Sequence, residues 1–377
     1  MKLKPFLLDN WLNHYHSPGS PAELDLASST GPNWTLRELL EMIAPDEWQQ
    51  LFDTRLVYAN ASGTEALRGE IAAMQGVEPD QVQIVTGASE ALLILFYLAA
   101  EPHANVVLPF PAFPTMYAIP ESLGVETRFY HLRREDDYRI DLDEIKRLVD
   151  DRTKLVLINS PHNPTGATIA DEEIAALHDH LAERKIQLVV DEVYHPIYHG
   201  RETKSAARLE RATVLGDFSK SFCLSGLRTG WIVERDSKRM AEYLNARSYF
   251  TISNSPVTES LAVIATRNRE KIFARAREVV SANLALLDSF MTEQAGLLGW
   301  VRPRGGMTAF PWLVSGEDSR PFCEALAARG VLLAPGDCFN MASHFRLGFG
   351  TSGARFPEAL DRFGEFLKQY PAQNASA

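Results

Sequence analysis

The stretch VQIVTGASEALLILFYLAA, residues 82–100, changes period in its middle. VQIVT (82–86) is a short, β-rich apolar run, Gly87 breaks it, and ASEALLILFYLAA then carries apolar residues at helical density. A strand that runs through a glycine into a helix is the building unit of an α/β sheet. The apolar run at 91–100 is too short to cross a bilayer and reads as a buried helix. Such a strand-to-helix turn also offers free backbone N–H groups, the positive end of the helix dipole and the Ser89 hydroxyl, a set that suits a phosphate. Taken alone, a glycine turn with Ser89 as cap explains it equally well.

Working outward, the same alternation continues to about residue 235. Further strands are predicted at NVVLPF (105–110), VETRFYH (125–131), KLVLIN (154–159), IQLVVD (186–191), ATVLGD (212–217) and TGWIV (229–233), with helical patterns such as IADEEIAALHDHLAERK between them. The expected fold is a three-layer α/β/α sandwich with a mostly parallel seven-stranded sheet, joined to a smaller α+β part. A chain of 377 residues exceeds the size at which one core keeps growing. The expected division is a large domain over 45–275 and a small one built from 1–44 and 276–377.

Composition narrows the function classes. Hydrophobic residues at 45% and charged residues at 23% are those of an ordinary globular protein. A net charge of −11, with the acids scattered, argues against nucleic-acid or anionic-membrane partners. The apolar part of MKLKPFLLDNWLNHYH ends at Asp9 and Asn10, too early for a signal peptide, so a cytoplasmic location is expected. Cys223, Cys323 and Cys338 form no CxxC pair and fit isolated thiols in a reducing compartment, and Cys223 reads as a small buried hydrophobe. No metal site is expected, because Pro196 interrupts the His195/His199 spacing.

In open α/β sheets, ligands sit beyond the carboxyl ends of the strands, so the residues there carry the chemistry. The stretch SPHNPTG (160–166) is a rigid turn that fixes the Asn163 amide, although Asn is also a common turn former. Asp191 closes a buried apolar strand, where a carboxylate is costly without a cation or donors, or caps a loop. Lys220 lies in GDFSKSFCLSGLRTG (216–230) with little carboxylate nearby, as suits a desolvated nucleophilic amine, and Arg228 offers a planar fork for an anion. A phosphate cradle, an amide, a buried acid and a desolvated amine at strand ends share one fitting ligand, pyridoxal phosphate (PLP). Neither GxxxxGK[ST] nor GxGxxG is present for a nucleotide.

With NPTG and SKSFCLSGLRTG in place, the chain from about Tyr58 to Arg346 resembles the fold-type-I PLP enzymes, specifically the class I/II aminotransferases. The resemblance implies that Lys220 holds the cofactor as a Schiff base and moves protons at the substrate α-carbon, while Asp191 keeps the pyridine nitrogen protonated. It implies that Asn163 and Tyr194 bond the phenolic oxygen, that Gly87, Ala88, Ser89, Ser219 and Arg228 surround the phosphate, and that Phe113 stacks on the ring. Arg346, in HFRLGFG, matches the fork for the substrate α-carboxylate, with Asn163 beside it. Tyr58 matches a tyrosine that reaches the neighbouring subunit's phosphate, which implies a homodimer with shared sites.

The implied reaction is transfer of an amino group between an L-amino acid and a 2-oxo acid. A lyase or cyclase on the same scaffold is the alternative. Three departures bear on that choice. Asp217 stands three residues before the lysine where relatives usually have Ser or Thr; Met116 takes the place of a second aromatic, with Tyr117 one position late; and SSTGPNW (28–34) resembles capreomycidine-synthase relatives, which eliminate and close a ring. Transcription regulators with an aminotransferase-like domain need an appended helix-turn-helix module, for which the region before the resemblance is too short.

Overall fold

A computed structural model describes residues 3–351 and 353–374. Its centre is a seven-stranded sheet of β1 (Val82–Val85), β2 (Asn105–Phe110), β3 (Glu126–His131), β4 (Thr153–Asn159), β5 (Gln187–Asp191), β6 (Ala212–Asp217) and β7 (Gly230–Val233). The spatial order is β1-β7-β6-β5-β4-β2-β3. Only β7 runs antiparallel to its neighbours β1 and β6, so the sheet is mostly parallel as expected. Every expected strand is present, with ends that move by no more than one residue.

Period-2 alternation sends the two faces of each strand into two separate cores. Val156 and Ile158 of β4 join one core, while Leu155 and Leu157 join the other. The second core is closed by α1 (Gly87–Ala99), whose Ala91, Leu92, Ile94, Leu95 and Phe96 are buried. Burial on both faces is why these strands read as unbroken apolar runs. Among the described residues no helix is long and apolar enough to cross a membrane.

The remainder packs around α2 (Arg269–Glu293) and α3 (Phe356–Asn374) with short strands: β8 (Thr308–Ala309), β9 (Ala334–Pro335) and β10 (Phe345–Gly348), in the order β8-β10-β9. The boundary expected at 275/276 falls inside α2, so the two parts are joined there by a continuous helix. The N-terminal segment is tied into the C-terminal part by a two-residue parallel pairing, Leu24 with Val331 and Asp25 with Leu332. From there it runs along β10, where the Gly348 N–H donates to the Leu26 carbonyl at 2.7 Å. That approach requires a glycine: a Cβ on Gly348 would lie 1.8 Å from the Ser28 carbonyl oxygen. Residues 26–29 are thereby laid across the carboxyl ends of the large sheet.

Candidate active site

The strand ends enclose a cavity of about 200 Å³. Along one wall, α1 starts at Gly87 with no side chain capping its N-terminus, so the first-turn amides are left for a ligand. Ala88 and Ser89 line the cavity there, facing Ser219 and Arg228. The Arg228 guanidinium is held by Nη1 bonds to the Ser225 carbonyl at 3.1 Å and Ser219 Oγ at 3.4 Å. It lies over Gly87, whose φ is +73°, and a Cβ there would sit 2.8 Å from Nη2. Amides, two hydroxyls and a guanidinium around a space that only glycine leaves open form a cradle of the size and charge of a phosphate. Arg228 sits in the left-handed turn before β7, at φ +48°.

Asp191 is buried at the end of β5, where Oδ1 accepts from the Val193 N–H at 3.1 Å. Burial pushes its carboxyl up to about 7, Val193 opposes the shift, and the Asp217 carboxylate adds to it. No side chain pairs with Asp191 among the described residues, and a protonated ring nitrogen is a partner that would suit it. Lys220 shares the cavity. Burial drives its ammonium down to about 8, Asp217 and Asp191 pull upward, and Arg346 and Arg228 push down. Its Nζ donates to Ser29 Oγ at 2.9 Å and lies 5.9 Å from the Tyr194 ring centroid.

On the opposite side, Arg346 is 1% exposed. It donates from Nη1 to Asn163 Oδ1 at 3.3 Å and from Nη2 and Nε to the Ala27 carbonyl at 2.7 and 3.2 Å. The Tyr194 hydroxyl donates to the Ser29 carbonyl at 3.1 Å, and burial raises it to about 12. Phe113 lines the cavity, and Phe6 covers it edge-on at 5.8 Å between centroids. Met116 lines this cavity too, whereas Tyr117 faces a separate apolar cavity beside the N-terminal segment. Asp217 points inward: it lines the cavity, and its Oδ1 accepts from the Ser219 N–H at 2.8 Å. Tyr58 is 81% exposed and lies outside the cavity of its own chain.

Sequence reading missed two contributors. Asn159 ends β4 level with Asp191; its Oδ1 accepts from the Asn163 N–H at 2.8 Å and its Nδ2 donates to the Asp191 carbonyl at 3.1 Å. Its position at a strand end was the available signal. The other is Ser29, which belongs to the SSTGPNW stretch but whose contact with Lys220, across 191 residues of sequence, that stretch does not announce.

The residues fit PLP: a phosphate cradle, a buried acid for the pyridine nitrogen, an aromatic face and a desolvated amine surround one space. The cofactor, when bound, supplies an electron-accepting ring that stabilises negative charge at the substrate α-carbon.

The chain is similar to known proteins. Capreomycidine synthase from Streptomyces vinaceus is 30% identical over 366 residues, covering 96% of this chain and 93% of its own. A PLP-dependent aminotransferase from Streptococcus suis 89-1591 superposes with a TM-score of 0.91 at 27% identity, covering 98% and 99%. The PLP-dependent cyclase OrfR superposes with a TM-score of 0.89 at 27% identity, covering 98% of both chains. The profile of the aminotransferase class I and II family matches residues 24–363. The chain belongs to the class I and II aminotransferase family of PLP-dependent enzymes, on the fold-type-I scaffold.

Proposed function

We propose that the protein takes the α-proton from an L-amino acid and completes an elimination, with or without ring closure. In this reading Lys220 holds the cofactor and then serves as base, Asp191 faces the pyridine nitrogen, Asn163 and Tyr194 serve the phenolic oxygen, and Phe113 covers the ring. Ala88, Ser89, Ser219 and Arg228 carry the phosphate, with Gly87 leaving the room. Arg346 takes the α-carboxylate through a planar fork, beside Asn163. The observation that carries the reading is the seating of Ala27–Ser29 on Arg346, Tyr194 and Lys220. This segment falls within the nearly full-length similarity to a synthase and meets the Lys220 amine through Ser29.

Amino transfer is the second reading, favoured by the aminotransferase relatives and by a buried lysine that suits proton transfer between two carbons. A panel of amino acids separates the two. Elimination releases ammonia or a cyclised product without an amino acceptor and leaves the cofactor as its aldehyde. Amino transfer converts the cofactor stoichiometrically to its amine and needs a 2-oxo acid to recycle. No conversion of any amino acid under either condition overturns both.

We also infer a homodimer. Phe52, Leu56, Val57 and Tyr58 are exposed beside exposed Tyr249 and Ile252, and Arg247 joins the two stretches by bonding the Ala61 carbonyl. An apolar patch of this kind marks a protein contact. A monomer by sedimentation velocity at micromolar concentration would overturn it.

A further inference from the structure

Of two adjacent serines, only one faces the reactive amine. Ser28 Oγ is engaged by the Asp25 carboxylate, which also accepts from the N–H groups of Ala27 at 2.8 Å and Ser28 at 2.9 Å. Ser29 is buried, and its Oγ is the acceptor for Lys220 Nζ. Its backbone is held on both sides: Arg346 grips the Ala27 carbonyl, Tyr194 grips the Ser29 carbonyl, and Gly348 donates to the Leu26 carbonyl. The hydroxyl is therefore delivered to the amine by a fixed segment. A hydroxyl has one proton to give and two lone pairs. Accepting from Nζ leaves that proton available, and among the described residues no group accepts it.

We propose that Ser29 is a proton carrier between Lys220 and the oxygen that leaves the substrate β-carbon in an elimination. The proposal rests on the elimination reading above. Removal of an α-proton by the lysine breaks Cα–H, and that electron pair becomes the Cα=Cβ bond. Cβ–O breaks with its pair leaving on oxygen. The proton on Nζ passes to Ser29 Oγ as the Ser29 proton passes to the departing oxygen. Water leaves, Nζ is neutral again, and no oxidant or reductant is consumed. Amino transfer expels no group from Cβ and so needs no proton there. An oxygen that must leave from Cβ does need one, since hydroxide is a poor leaving group.

The test compares wild type, Ser29→Ala and Ser29→Thr on L-serine, whose hydroxyl needs a proton to leave, and on β-chloro-L-alanine, whose chloride does not. Ser29→Ala is expected to lose about 100-fold or more on L-serine, the usual scale of a general acid, and to lose far less on the chloride; Ser29→Thr is expected to retain both. Equal loss on both probes, or loss on neither, overturns the proposal. A second readout uses cofactor-free protein: the pH midpoint for acylation of Lys220, read by peptide mass. Loss of an acceptor for the ammonium should lower the midpoint by about half to one pH unit, and Thr should restore it. An unmoved midpoint overturns the Ser29–Lys220 bond by itself. Failure of wild type on both substrates overturns the elimination reading, a separate result.

Discussion

Arg346 and Asn163 are bonded to each other at 3.3 Å, Nη1 to Oδ1, while the rest of the guanidinium is turned onto the Ala27 carbonyl. The fork that a carboxylate would use is thus aimed by an amide on one side and a backbone carbonyl on the other. Lysine keeps the charge and loses the planar geometry. Arg346→Lys should lower kcat/KM by about 10- to 100-fold, mainly through KM, on the scale of a charged hydrogen bond. Steady-state kinetics on the accepted amino acid checks this, and an unchanged KM places the carboxylate elsewhere.

Asn159 braces two site segments at once, through Asn163 N–H and the Asp191 carbonyl. Asn159→Ala leaves the buried Asn163 N–H without a partner, at a cost of about 1–3 kcal/mol, and takes one of two donors from the Asp191 carbonyl, which keeps the Ser160 N–H at 3.0 Å. A fall in Tm and a weaker cofactor Kd are expected together. Thermal melts and fluorescence titration read them, and a Tm drop with unchanged Kd would make Asn159 a brace of the sheet alone.

The rate at which cofactor-free protein captures PLP should rise about tenfold per pH unit below the Lys220 midpoint near 8 and level off above it, because only the neutral amine attacks. A solvent-exposed lysine would keep rising toward pH 10. Asp217 raises the lysine, so Asp217→Ser should move the midpoint down. It should also tighten PLP binding by removing a carboxylate from the cavity. Linkage gives the matching stability trend: between about 8 and 10.5 the unfolded chain holds more protons at this group than the folded one, so the cofactor-free protein gains stability as pH rises through that window. A capture profile with no plateau by pH 9 would contradict the burial of the amine.

Gly87 is held at positive φ against Arg228. Gly87→Ala should cost about 1–2 kcal/mol of stability from the left-handed backbone alone and displace the guanidinium. PLP should then bind at least tenfold more weakly, and inorganic phosphate should compete less well. Unchanged binding by equilibrium dialysis would remove Arg228 and Gly87 from the phosphate cradle.

The sheet was legible because strands buried on both faces read as apolar runs, and NVVLPF and ATVLGD match β2 and β6 residue for residue. Lys220, Asp191 and Asn163 were legible because strand ends are where such sheets bind ligands. The direction of Asp217 was not, since a side chain's face at the last residue of a strand depends on the turn that follows. Ser29 and the Ala27 carbonyl were invisible for a different reason: they arrive through the two-residue pairing of Leu24–Asp25 with Val331–Leu332, too short to show any period. Tyr58 is solvent-facing in the single chain, so its expected task depends on a second subunit.

The bond from Arg346 to the Ala27 carbonyl joins positions 319 apart. During translation the amino-terminal segment therefore waits for nearly all of the polypeptide before its seat exists. The central sheet can gather earlier, from contacts closer in sequence. Assembly of the catalytic pocket is consequently a late event. Recognition of the amino acid is then the last capacity to appear, because its carboxylate fork sits on β10 while the residues around the cofactor lie between 87 and 228.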